Sequence, residues 1–304
     1  MAQISVGRAV GAGFGLIARR PLSVLAWGLL PTVLQVIALV LIAPAYISMA
    51  GAMASGGSLL AAQPQLMQVQ GLAQLINLAQ LFVSGVVYCA VFRAVLHPDR
   101  SAYAYLRVGA PELFLALLAF AAVIVLVIGL VLVMIPVGIL FGVIAAVTHS
   151  GAGIGLFIPI VILAVLLAIL FFGLRFSFVG PMMVEDGKFH LFESWTLTRG
   201  RTSSLLLIAL CLFGVLVVFE VIVLTVFFAI AAAAIGLTGG LSHAGELLRR
   251  SPRALIAQLW PFAAVYAVLA APLSGCALAI AAAPFASAYR DVALDPAATS
   301  ATFA

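Results

Sequence analysis

The sequence predicts an all-α, polytopic membrane helical bundle with about six transmembrane helices in a single integral domain, residues 1–304. Two observations carry that reading. Apolar residues make up 66% of the chain and charged ones 8%, with a mean hydropathy of +1.32, and so few charges cannot coat a soluble domain of this size. The apolar residues also fall into six runs, about 22–47, 72–94, 113–147, 153–179, 205–235 and 255–289, each long enough to cross a hydrocarbon core that needs about 20 residues.

The net charge of +5 does not point to nucleic acid, because the bases sit at the ends of apolar runs and form no continuous basic stripe. They read as topology signals and contacts to lipid headgroups. Cys89, Cys211 and Cys276 stand singly inside apolar runs and are expected to be small buried hydrophobes. No signal peptide is expected, since Arg8, Arg19 and Arg20 precede an apolar run too long for a signal h-region.

Residues 4–20 carry Val6, Val10, Phe14 and Ile17 at helical spacing beside a row of Gly7, Gly11 and Gly15, which predicts a short interfacial helix with a smooth edge. The first span holds Trp27, Pro31, Gln35 and Pro44, and the charge-free passage 51–70 that follows reads as a translocated loop. The second span carries Asn77, Gln80 and Ser84 as a polar row and ends at Arg93. A short helix capped by Ser101, with Arg107 in its last turn and Gly109 and Pro111 ending it, is expected before the third span. At 1.5 Å per residue that third span would be roughly 50 Å long, so it must tilt, bend near Gly129 or Pro136, or project from the bilayer.

The passage from Leu174 to Arg201 is the densest polar stretch of the chain and predicts a water-facing elbow between the fourth and fifth spans, with Phe192 and Trp195 on a short amphipathic helix. The fifth span carries Glu220, and Glu246 precedes Arg249 and Arg250 at helical pairing distance before the last span. Short leads at 4–21, 101–111 and 189–201, and closing arginines Arg93, Arg175 and Arg290, frame a possible triple repeat of helical hairpins. Counting bases on each side puts both termini in the cytoplasm of a cell whose inner (plasma) membrane holds the chain, with Arg249, Arg250 and Arg253 the exception on the outer side.

Chemistry is sparse. Glu220 is the one acid deep in an apolar run, and reads either as a coupling group or as a protonated acid hydrogen-bonded through Gln35, Asn77, Gln80 or Tyr266. Arg249, Arg250 and Arg253, with Arg93, Arg175 and Arg290, are candidates for anionic headgroups, or for solvated helix faces resting on lipid. His97, His149, His190 and His243 lie on separate loops without metal-ligand spacing, GAGIG lacks the strand of a nucleotide loop, and no HExxH or GxSxG occurs. Neither metal nor cofactor is expected.

Within the elbow, Arg175, Pro181, Val184, Glu185, Glu193, Ser194, Thr198 and Gly200 resemble the cytoplasmic elbow of a loose group of bacterial six-span membrane proteins. The group includes the membrane domain attached to some glycerophosphodiester phosphodiesterases and several uncharacterised relatives. The resemblance centres on this passage, with support from 88–109 and 283–292, and it implies a membrane fold, because the phosphodiesterase barrel is missing from this sequence. The expected function is that of a non-enzymatic membrane protein whose interfacial helices engage lipids, a partner protein or a second copy. The alternative is a small secondary transporter with Glu220 as coupling group and the polar row of the second span lining a path.

Overall fold

A computed structural model describes residues 4–54, 63–99, 102–148, 152–237, 239–240, 246 and 252–294. In chain order the helices are α1 (Val6–Arg19), α2 (Pro21–Ala54), α3 (Gln63–Leu96), α4 (Ala110–Thr148), α5 (Ala152–Arg175), α6 (Val179–Asp186), α7 (Leu191–Thr198), α8 (Thr202–Leu237) and α9 (Pro252–Tyr289). A single turn, Ala102–Tyr105, stands between α3 and α4, and a π-helical turn, Arg290–Leu294, follows α9. Six of these helices, α2, α3, α4, α5, α8 and α9, are long and apolar enough to cross a membrane, and no strand occurs among the described residues. The chain is an all-α polytopic membrane bundle.

Burial is distributed very unevenly along the spans. The start of α2, the end of α3, the starts of α4 and α8, and the ends of α5 and α9 meet at one end of the bundle. There α1, the 102–105 turn, α6 and α7 fill the space between them and form a cap. One cluster packs Leu16, Val24, Trp27, Val87, Val91, Phe92 and Tyr105 against Ala279, Ala283 and Ala286. A second packs Ala9, Leu174, Phe178, Met182, Leu205 and Ile208 against Ile280 and Tyr289. Away from the cap the walls separate, and every residue of α4 from 120 to 136 is exposed.

The closest crossing is that of α2 over α9. A Cβ on Gly28 would stand 1.7 Å from the Ala271 carbonyl oxygen, and one on Gly275 would stand 2.0 Å from the Val24 carbonyl oxygen. The two backbones are therefore in direct contact, which only glycine permits. Apolar side chains gain no hydrophobic driving force by leaving lipid, so close backbone approach and dispersion must hold such helices together. Alanines at 279, 282, 283 and 286 continue the smooth surface of α9 toward the cap, where α1 lies on it.

Several expectations change. The passage 51–70 is not one long loop: α2 continues to Ala54 and α3 begins at Gln63. Its alanine, methionine and glutamine residues are uncharged yet are good helix formers, so lack of charge did not mean lack of helix. The fourth span stops at Arg175, and Val179 belongs to the separate helix α6. The long third span runs unbroken past both Gly129 and Pro136. The expected helix after residue 101 is instead the 102–105 turn, with Arg107 outside any helix and Pro111 inside the first turn of α4. Consequently only two of the three hairpin leads, α1 and α7, are helices. In α1 the row Gly7, Gly11 and Gly15 meets nothing within 4 Å, while Ala9, Gly13 and Leu16 form the packed face. Cys89 is buried as expected, but Cys211 lies on the outward face of α8.

Candidate functional site

The cap brings together most of the charged residues of the described chain, and five of its carboxylates lie against a basic or histidine side chain, Asp99 being left exposed without one among the described residues. Arg93, at the end of α3, forms an ion pair with Glu112 in the first turn of α4, and the Glu112 side chain is 0% exposed. Arg93 also donates to the Tyr105 carbonyl at 3.3 Å. Glu112 Oε2 accepts no hydrogen bond, so this buried carboxylate depends on Arg93 for its compensation. Elsewhere Arg8 lies 3.8 Å from Asp291, His97 3.0 Å from Glu185, and His190 between Glu193 at 2.7 Å and Asp186 at 3.5 Å. The Arg8–Asp291 pair places both ends of the described chain at the cap.

The link between α3 and α4 is held from several sides. Tyr103, Ala104 and Tyr105 have φ of 53°, 54° and 63°, the left-handed region, which costs an L-residue about 1–2 kcal/mol. Three such residues in succession persist only when their surroundings over-determine them. Here Trp27 Nε1 donates to the Ala104 carbonyl at 2.8 Å, Arg93 to that of Tyr105, and Tyr105 Oη to that of Pro98 at 2.8 Å. Arg20 adds a second donor on the Pro98 carbonyl at 3.2 Å. Trp27 and Tyr105 are fully buried beneath the turn, whereas Tyr103 is left 88% exposed.

At the elbow the residues that carry the resemblance make one structural unit. The α5 helix ends at Arg175, whose carbonyl accepts from Ser194 Oγ at 2.9 Å; Thr198 Oγ1 lies 3.5 Å from the same carbonyl and donates over the shorter distance, 3.1 Å, to the Trp195 carbonyl. Helix α7 thus turns its hydroxyl face inward to satisfy a carbonyl at the end of the span. Pro181 is buried in α6, and Gly200, with φ of 81°, lets the chain turn from α7 into α8. Around Arg175 lie Phe171, Phe172, Phe176 and Trp195, with the guanidinium 5.5 Å from the Phe171 ring centroid and 5.1 Å from that of Trp195. Arg175 Nε and Nη1, together with Nε of Arg201, are buried without a hydrogen-bond partner.

The other predicted site residues are dispersed. Gln35, Asn77 and Glu220 are exposed on α2, α3 and α8, and Gln80 is half-buried, with no hydrogen bond joining any of them among the described residues. Tyr266, expected as a partner of Glu220, packs instead against Phe227 at 5.3 Å. Arg290 is exposed and donates to the Val95 carbonyl at 3.4 Å. Arg249 and Arg250 lie outside the described residues, as do Ser101, His149 and His243, while Arg253 falls in the first turn of α9. No group of three metal-ligating side chains occurs among the described residues.

Sequence reading alone missed Glu112, His97 and Trp27 as members of the cap. An acid in the first turn of a span, facing an arginine at the end of the preceding one across a short connection, was the available signal for the first of these. Comparison with protein-family models, with curated proteins and with solved structures returns no match to this chain.

Proposed function

We propose that the protein is a non-enzymatic inner-membrane protein whose cap lies on the cytoplasmic face and engages anionic lipid, with the membrane halves of its spans solvated by acyl chains. The observation that carries this reading is the charge left over at the cap. Among the described residues its six acids, Asp99, Glu112, Glu185, Asp186, Glu193 and Asp291, are outnumbered by its arginines and lysine: Arg93 pairs with Glu112 and Arg8 with Asp291, while Arg19, Arg107, Lys188 and Arg199 have no ion-pair partner. An excess of arginine and lysine at the membrane surface both favours the cytoplasmic side and attracts anionic headgroups, by about 1 kcal/mol per base. Phe192, 80% exposed on α7, and Tyr103 supply apolar contacts at the same level.

Kinship with the six-span group that includes phosphodiesterase membrane domains belongs to this proposal, supported by the way the elbow residues close on one another. A transporter would need Glu220 and the polar row of α3 to converge, and Glu220 stands exposed on α8 with no hydrogen bond to Asn77, Gln80 or Ser84 among the described residues. Native mass spectrometry of gently purified protein tests the reading. Anionic phospholipid is expected to remain bound in preference to zwitterionic lipid. Proton-driven solute uptake in proteoliposomes that Glu220→Gln abolishes would replace it with the transport reading.

A further inference from the structure

The junction of α5, α7 and α8 holds two arginines whose donors are incompletely used. Arg175 closes α5 and Arg201 opens the way into α8, and both are fixed around Thr198. Thr198 Oγ1 reaches the Arg175 carbonyl at 3.5 Å, and the Arg201 amide donates to the Thr198 carbonyl at 3.2 Å. Arg201 Nη1 donates to the Leu197 carbonyl at 3.0 Å. Nε of Arg201, and Nε and Nη1 of Arg175, find no acceptor although all three are buried. No carboxylate pairs with either residue among the described residues.

Aromatic rings cover the faces of the Arg175 guanidinium, which stabilises the cation but satisfies no N–H in its plane. Buried donors on a cation are costly to leave unmade, and Nε with Nη2 is the edge that grips an oxyanion in bidentate fashion; Nη2 of Arg175 and of Arg201 also has no acceptor among the described residues. The surrounding Phe171, Phe172 and Phe176 are apolar surface at the end of a membrane span. An oxyanion here would therefore sit beside hydrocarbon.

We infer that Arg175 and Arg201 form a specific site for the phosphate of an anionic phospholipid, the headgroup held at the α5–α7–α8 junction and the chains lying along Phe171 and Phe172. This rests on the lipid reading above and narrows it to one place on the cap. Trp195 is the built-in reporter, and the fork geometry distinguishes a site from general attraction, because lysine keeps the charge and loses the fork.

The test is a titration of detergent-purified protein with short-chain phosphatidylglycerol, phosphatidylcholine or inorganic phosphate, read by native mass spectrometry. Phosphatidylglycerol is expected to bind with one site tighter than the rest. Arg175→Lys and Arg201→Lys should each weaken that site about tenfold, while Arg8→Lys, at the exposed pair with Asp291, leaves it unchanged. Should Arg201→Lys not fold, Arg175→Lys decides, together with quenching of tryptophan emission by brominated phosphatidylglycerol in a Trp260→Phe background, which must exceed quenching by brominated phosphatidylcholine. Equal binding by all three lysine variants overturns the site and leaves the lipid reading standing. If the unaltered protein shows no preference for phosphatidylglycerol, both fall. Inorganic phosphate binding with the same arginine dependence overturns the assignment to lipid.

Discussion

Helix α4 and helix α9 are of similar length, 39 and 38 residues, yet they live in different surroundings. From 120 to 136 α4 is bare on every face, whereas α9 is buried or half-buried throughout Ala279–Tyr289 and packs along its length against α1, α2, α3, α6 and α8. Composition explains the difference. The exposed part of α4 is built mostly from valine, leucine and isoleucine, which lipid solvates as well as protein does, while α9 offers glycine and alanine, over which another backbone can approach closely enough for dispersion to count. In a bilayer the greasiest helix is therefore not the most buried one. Small residues and polar anchors locate the core, and here they locate it at the cap.

That contrast can be broken most severely at the α2–α9 crossing. Gly275→Leu would drive a side chain into the Val24 backbone, and the variant is expected to lose its monodisperse folded form entirely, as judged by size-exclusion chromatography in detergent. Gly129→Leu on the bare face of α4, where a Cβ meets nothing within 4 Å, should leave the elution profile and thermal stability unchanged. If both variants behave alike, the division into a packed cap and lipid-solvated walls is wrong.

A smaller effect is expected at the one point where α4 does join the core. Glu112→Ala leaves the Arg93 cation without its acid, and loss of one partner of a buried pair costs about 3–5 kcal/mol. The double variant Glu112→Leu with Arg93→Met removes both charges and should recover much of that loss in a thermal-denaturation assay, since no uncompensated charge remains. Without recovery, the hydrogen bond from Arg93 to the strained Tyr105 turn would be the larger contribution.

The smallest expected change tests the elbow. Ser194→Ala removes the hydroxyl that serves the Arg175 carbonyl and should lower stability by up to about 1 kcal/mol, while Thr198→Val, whose hydroxyl goes to the Trp195 carbonyl, should cost less. The two together should exceed the sum of the single losses, because Thr198 Oγ1 is close enough to turn to the Arg175 carbonyl once Ser194 is gone, and only the double variant leaves that carbonyl unmade.

Much of the fold was legible because solvent choice is written in composition. The six apolar runs, the interfacial lead α1 and the short helix around Trp195 all follow from hydropathy and spacing. The fourth boundary was misplaced because Phe176, Ser177, Phe178 and Val179 continue the apolar run past the place where the backbone breaks. The turn at 103–105 was unreadable for another reason: tyrosine and alanine carry no preference for the left-handed region, and donors from α2 and α3 impose it. Glu220, prominent in sequence as a lone acid in hydrocarbon, stands on the outward side of α8, since depth along a helix says nothing of rotation about it.

The amino-acid sequence by itself determined that this chain dissolves in a bilayer, how many times it is able to cross, and that its charges gather at the ends of the spans. These follow from the transfer of each side chain between water and oil, a property summed residue by residue. Only the tertiary structure decided which arginines are taken up internally. Arg93 is matched to Glu112, Arg290 to the Val95 carbonyl, and Arg175 is left with open donors beneath Trp195. That choice depends on which helix ends meet and how each is rotated, and it is set by the close passage of α2 over α9 and the packing of the short helices between the spans.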